Sequence, residues 1–225
     1  MSAVQISDTS LLAEMSGAFL ALFGISEYLY RRLSVRPEIT RKISHIGTGI
    51  LVLLFPLVLK SHWDVLILCS SFLVLLLLSF KYEFLKGINN VDRKTFGSVL
   101  YPVGVYITFC VYEELQFLSA FYIPVLILAI SDPLAALVGR KTGWNPYRIF
   151  RDGKSVGGTI AFLISAFAIA ALSFSLEGMW KELDSPLILC AAIAVTTTVA
   201  EAASAYGSDN LSIPVTGALL IFMMT

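Results

Sequence analysis

The chain has 225 residues with 16 basic and 16 acidic side chains, so its formal charge is zero and no global field draws it to nucleic acid or to an acidic partner. With 57% hydrophobic and 14% charged residues and a mean hydropathy of +0.81, it carries more apolar surface than a soluble domain of this size can hide. The charges fall in short clusters between apolar runs long enough to cross a bilayer core of roughly 30 Å at about 1.5 Å per residue, which makes the runs spans and the clusters loops.

Met1 to Ser10 is polar and weakly acidic and lacks the basic segment of a cleaved signal peptide, so the first apolar run is expected to stay. Hydrophobic patterning then predicts helices near 11–30, 43–60, 62–80, 97–113, 116–138, 156–176, 185–205 and 210–224. The expected fold is a single all-α integral membrane domain over 1–225, a polytopic bundle of about eight transmembrane helices. The long connections, 31–42, 81–96 and 139–155, fall on one side of this arrangement. With the N-terminus outside, that side collects 14 of the 16 basic residues and leaves Lys60 and Lys181 opposite, which agrees with the excess of Lys and Arg in cytoplasmic loops. Pro102, Pro124, Pro133 and Pro214 lie within predicted spans and are expected to bend them. Cys69, Cys110 and Cys190 fall inside apolar segments with no CxxC pairing and read as small core residues.

Four clusters carry the polar chemistry. Arg41-Lys42-Ile43-Ser44-His45 opens the second span, and helical spacing puts Arg41 and His45 on one face with Lys42 adjacent, all able to reach an anion. Asp92-Arg93-Lys94-Thr95 followed by Gly97 and Ser98 repeats the theme at the fourth span, as a phosphate contact or as a headgroup anchor. Ser131-Asp132-Pro133 places a carboxylate at the inner end of the fifth span, where an ionised group costs several kcal/mol unless paired or bound to a cation. Gly139-Arg140-Lys141-Thr142-Gly143 comes next, then Gly153-Lys154-Ser155-Val156-Gly157-Gly158 leading into the sixth span. Glycines, a lysine and a serine hydroxyl before a helix N-terminus suit a phosphate cradle. This is not a P-loop: Arg148 stands where the first glycine would, and no strand is predicted before it. Alternatively these glycines serve tight helix packing and the basic residues anchor to headgroups.

Glu201, in an otherwise apolar helix, and Gly207-Ser208-Asp209-Asn210 at the next helix complete the fourth cluster. Ser208 or Asp209 can serve simply as a helix cap. Three carboxylates, Asp132, Glu201 and Asp209, beside a basic glycine loop suggest a Mg²⁺ site facing nucleotide phosphates, since hard cations take oxygen ligands.

The segments RKISHIGTG (41–49), KTFGSVLYPVG (94–104), SDPLAALVGRKTG (131–143), GKSVGGTIA (153–161) and EAASAYGSDNLSIPV (201–215) together resemble the CTP-dependent lipid alcohol kinase family, which includes dolichol, phytol and farnesol kinases and the yeast-type diacylglycerol kinase. A more distant similarity is to phosphatidate cytidylyltransferase, whose C-terminal signature has no counterpart here. The resemblance implies phosphoryl transfer from CTP to the hydroxyl of a membrane lipid alcohol at the cytoplasmic face. It implies Asp132, Lys154 and His45 as catalytic. Arg41, Lys42, Gly139, Arg140, Gly143, Gly153, Lys154, Ser155, Gly157 and Gly158 would bind nucleotide, and Asp132, Glu201, Asp209 and Asn210 would hold Mg²⁺. A transporter is the contrasting reading, but its acidic residues are expected nearer mid-membrane than beside a basic loop.

Overall fold

A computed structural model describes residues 9–89, 96–149 and 152–225. The chain divides into two compact units, Met1–Tyr106 and Ile107–Thr225.

In the first unit α1 (Thr9–Leu33), α2 (Pro37–Leu53), the single turn α3 (Phe55–Val58), α4 (His62–Tyr82) and the short α5 (Lys86–Asn89) succeed one another, and α6 (Gly97–Leu115) begins. Pro37 sits in the first turn of α2, where its missing N–H deprives the helix of nothing. Ser61 Oγ accepts from the Trp63 amide at 3.2 Å and starts α4. Phe19, Phe23 and Phe72 form the aromatic core, with ring centroids 4.9 and 5.7 Å from Phe72. Polar contacts dock the segment around α5: Glu27 accepts from the Gly87 amide at 2.7 Å, Arg31 donates to the Phe84 carbonyl at 3.0 Å, and Thr40 donates to the Gly87 carbonyl at 2.6 Å.

The second unit contains α7 (Ser119–Leu126), a π-turn (Ile127–Ser131), α8 (Asp132–Thr142), the strands β1 (Pro146–Ile149) and β2 (Asp152–Ser155), α9 (Val156–Glu177), a 3₁₀ turn (Met179–Lys181), α10 (Pro186–Ala203) and α11 (Asp209–Met224). Helix α9 shows why its sequence folds this way. Gly158, Phe162, Ala166, Ala170 and Phe174 recur every fourth residue and are buried, whereas Ile160, Ile164, Leu172 and Leu176 are exposed on the opposite side. Both faces are apolar, so the outward one suits lipid, and the inward one is small enough for α8 and α10 to pack closely. The Glu177 carboxylate accepts from the Leu118 and Ser119 amides at 2.6 and 2.7 Å, tying the end of α9 to the start of α7.

Among the described residues six helices are long and apolar enough to cross a membrane: Thr9–Leu33, Pro37–Val58, His62–Tyr82, Ser119–Thr142, Val156–Glu177 and Pro186–Ala203. The expectation of about eight is corrected to six. Helix α6 carries tyrosines, glycines and a terminal Glu113-Glu114 pair that dilute its hydropathy, and α11 has 16 residues, about 24 Å of helix, short of the bilayer core. The alternation of sides that gathered 14 basic residues on one face depended on the larger count.

Two further corrections concern the stretch 139–155, expected as a loop. Residues 139–142 continue α8, which ends at Gly143 in the left-handed conformation (φ +58). Beyond it the chain forms an antiparallel hairpin, with Tyr147 opposite Lys154 and Pro146 opposite Ser155, so Gly153-Lys154-Ser155 lies on a strand. The break expected at Pro133 takes the form of the π-turn. The Asp132 amide donates to the Ile127 carbonyl five residues back, and the extra residue rotates α8 by about 100° relative to α7.

Candidate functional site

Three helices and the hairpin of the second unit meet around a cavity of about 150 Å³. Asp132, Gly139, Arg140 and Gly143 line it from α8 and its cap, Lys154 and Ser155 from β2, Gly158 and Thr159 from α9, and Glu201 from α10. Helix α10 brings Glu201 inward for a packing reason. Cys190, Ala194, Thr197 and Thr198 precede it on the buried face, so the carboxylate ends an otherwise uncharged stripe.

The approach of α8 to α9 depends on two glycines. A Cβ on Gly158 would stand 2.7 Å from the Ala135 carbonyl oxygen, and one on Gly139 would stand 2.6 Å from Ser155 Oγ. These positions serve helix packing first, and the close packing is what sets Asp132 and Arg140 beside the hairpin.

The start of α9 is closed by the protein itself. Ser155 Oγ accepts from the Gly158 amide at 3.1 Å, the Val156 amide donates to the Asn145 carbonyl at 3.1 Å, and the Gly157 amide donates to the Trp144 carbonyl at 3.5 Å. Side chains, rather than a ring of unoccupied backbone amides, are therefore what this end of the helix offers an anion.

Those side chains are cationic and held. Lys154 Nζ donates to Glu201 Oε1 at 2.5 Å, also to the Glu201 backbone carbonyl, and reaches Ser204 Oγ at 3.5 Å. The two side chains retain only 12% and 9% of their exposure, so each charge depends on the other. On the same face of the hairpin, Tyr147 and Thr159 share a hydroxyl–hydroxyl bond of 2.7 Å. Sequence reasoning overlooked Thr159 and Tyr147. Thr159 stands one helical turn after the Ser155 cap, which was a usable signal, whereas Tyr147 acquires its position from a hairpin that no alternating pattern announced.

The other expected residues lie elsewhere. Gly153 and Gly157 are not among the lining residues, and a Cβ on Gly157 would meet Thr142 Oγ1 at 2.9 Å. Asp209 and Asn210 open α11, where Asp209 Oδ1 accepts from the Asn210 amide at 2.9 Å and from its side-chain nitrogen at 3.0 Å; neither lines the cavity. Arg41, Lys42 and His45 stand on α2 in the first unit, where the His45 ring meets Tyr101 edge-on with centroids 6.1 Å apart. Asp92, Arg93, Lys94, Thr95 and Arg151 lie outside the described residues.

Among the described residues no three His, Cys, Asp or Glu side chains gather as a metal cage. The donor set nevertheless fits Mg²⁺ bound with a substrate, because that ion commonly takes one or two carboxylates and completes its shell with water and phosphate oxygens. Asp132 and Glu201 would supply the carboxylates, and Arg140 and Lys154, which line the same cavity, would balance them to a neutral set.

Comparison with known proteins finds two relatives. A phytol kinase from Synechocystis sp. is 28% identical over 207 residues, spanning 92% of this chain and 88% of that one. An uncharacterized protein, RP860, from Rickettsia prowazekii is 40% identical over 91 residues, 40% of this chain and 41% of that one. No family model and no solved structure matches. Six membrane-length apolar helices among the described residues mark an integral membrane protein, and its likeness to a phytol kinase runs almost end to end.

Proposed function

We propose that the chain transfers the γ-phosphoryl group of CTP to the hydroxyl of a membrane-dissolved lipid alcohol, an isoprenoid alcohol or a diacylglycerol, giving the lipid monophosphate and CDP. The observation that carries this reading is the convergence of Asp132 and Glu201, from different helices, with Arg140 and Lys154 around one cavity. Phosphoryl transfer requires mainly positioning and charge neutralisation, and this set can supply both.

Arg140, exposed at the end of α8, grips phosphate oxygens through charge-assisted hydrogen bonds, and Lys154 adds a second cation. Asp132 and Glu201 would hold Mg²⁺, which would supply neutralisation of phosphate charge. Asp132 accepts the proton of the attacking hydroxyl. The alcohol oxygen bonds to the γ-phosphorus as the bond to the β-phosphate oxygen breaks, and CDP carries the leaving charge.

The proposed side is cytoplasmic. The last turn of α8 and its connection to α9 carry Arg140, Lys141, Arg148, Arg151 and Lys154, whereas residues 178–185 after α9 carry only Lys181. A lipid alcohol keeps its tail in hydrocarbon and its hydroxyl at the interface, so a water-soluble donor meets it there.

The test is to incubate the purified protein with CTP labelled at the α or the γ phosphate and a panel of lipids. Lipid labelled from the γ position is expected. Transfer of the α phosphate together with cytidine overturns the kinase reading in favour of a cytidylyltransferase.

A further inference from the structure

We infer that the Lys154–Glu201 pair is an exchange latch: arrival of nucleotide phosphate takes Lys154 from Glu201, and the released carboxylate becomes available to the divalent cation that accompanies the nucleotide. This inference rests on the cavity being a nucleotide phosphate site.

Lys154 spends its donors on the end of α10, on Glu201 Oε1, the Glu201 carbonyl and Ser204 Oγ. A lysine so engaged is not offered to phosphate, and a carboxylate so engaged is not offered to a metal ion. Both nevertheless line the cavity with Arg140 and Asp132. The exchange is electrostatically balanced, since each charge leaves one opposite partner for another and neither is left buried alone. The lysine stem has four rotatable carbons, so the ammonium can move while its backbone stays.

The hairpin does not need this ion pair to remain docked. Tyr147 is bonded to Thr159, Ser155 caps α9, and the Val156 amide is bonded to the Asn145 carbonyl. Lys154 can therefore leave Glu201 without detaching the strand that carries it. A purely structural clamp would be the natural reading if the ion pair were the hairpin's sole attachment.

The latch lowers apparent affinity for either ligand alone, because each must first displace the partner of its own group. The test uses the full chain purified in detergent, with binding as the readout. In EDTA, Glu201→Gln is expected to bind CTP about tenfold more tightly than the wild type. That gain should vanish when Lys154 is already Gln, which separates release of the lysine from simple removal of a negative charge. Reciprocally, Lys154→Gln should bind Mn²⁺, followed by electron paramagnetic resonance without nucleotide, about tenfold more tightly than the wild type.

Weaker CTP binding by Glu201→Gln, or a gain that persists in the Lys154→Gln background, overturns the latch while leaving the nucleotide site standing. If Glu201→Gln does not fold, the Mn²⁺ measurement on Lys154→Gln decides, and unchanged or weaker binding overturns the latch. Failure of the wild type to bind CTP with or without Mg²⁺ overturns the nucleotide reading and the latch with it.

Discussion

Gly158 lies so close to Ala135 that a methyl group on its α-carbon would stand 2.7 Å from the Ala135 carbonyl oxygen. The obstacle is backbone, so it cannot turn aside. Gly158→Ala is expected to destabilise the protein by about 1–3 kcal/mol, the usual cost of overpacking a close contact. A thermal melt in detergent should show the loss, whereas Gly153→Ala, which meets nothing within 4 Å, should melt like the wild type.

Asp132 is the only carboxylate that α8 presents to the cavity. Asp132→Asn keeps the shape and removes both the proton acceptor and the anionic ligand. Turnover should fall by roughly 100-fold or more, with the melting temperature held close to the wild type. Substantial residual kinase activity in a folded variant would remove Asp132 from the chemistry.

Arg140 lines the same cavity from an exposed position, and its loss should not disturb the packed core. Arg140→Gln is expected to raise the KM for CTP about tenfold, corresponding to one charge-assisted hydrogen bond of roughly 1.5 kcal/mol. Steady-state kinetics that leave KM unchanged would assign Arg140 to the lipid surface instead.

Glu177 receives two amides from the beginning of α7, at 2.6 and 2.7 Å. Those donors belong to a helix start, and Glu177→Ala leaves them without this acceptor. A loss of about 1–3 kcal/mol is expected in the melt, with CTP affinity within twofold of the wild type because Glu177 does not line the cavity.

Tyr147→Phe removes the bond to Thr159 and little else. The expected cost is about 1 kcal/mol, expressed locally as faster amide hydrogen exchange over the hairpin, 146–155, than over α10. Equal exchange in variant and wild type would show that the Ser155 cap and the Asn145 carbonyl suffice to hold the strands.

Long apolar runs identified the membrane helices of the fold, because an uninterrupted stretch near bilayer length has few other uses. The count was less secure where tyrosines and a glutamate pair thin out α6, and where α11 stops at 16 residues. Asp132 and Glu201 were legible as candidate site residues because a carboxylate in an apolar helix needs a partner, but the identity of that partner was not.

What the sequence determined by itself was chemistry bound to local pattern: which segments are apolar enough for a bilayer and which carboxylates interrupt them. The tertiary structure alone decided that Lys154 belongs to Glu201, 47 residues away, and that Tyr147 on the hairpin belongs to Thr159 on α9. It also decided that α8 continues to Thr142. Such pairings arise from the distance at which helices pack, and that distance is set by glycines whose effect is felt on a neighbouring helix rather than along their own chain.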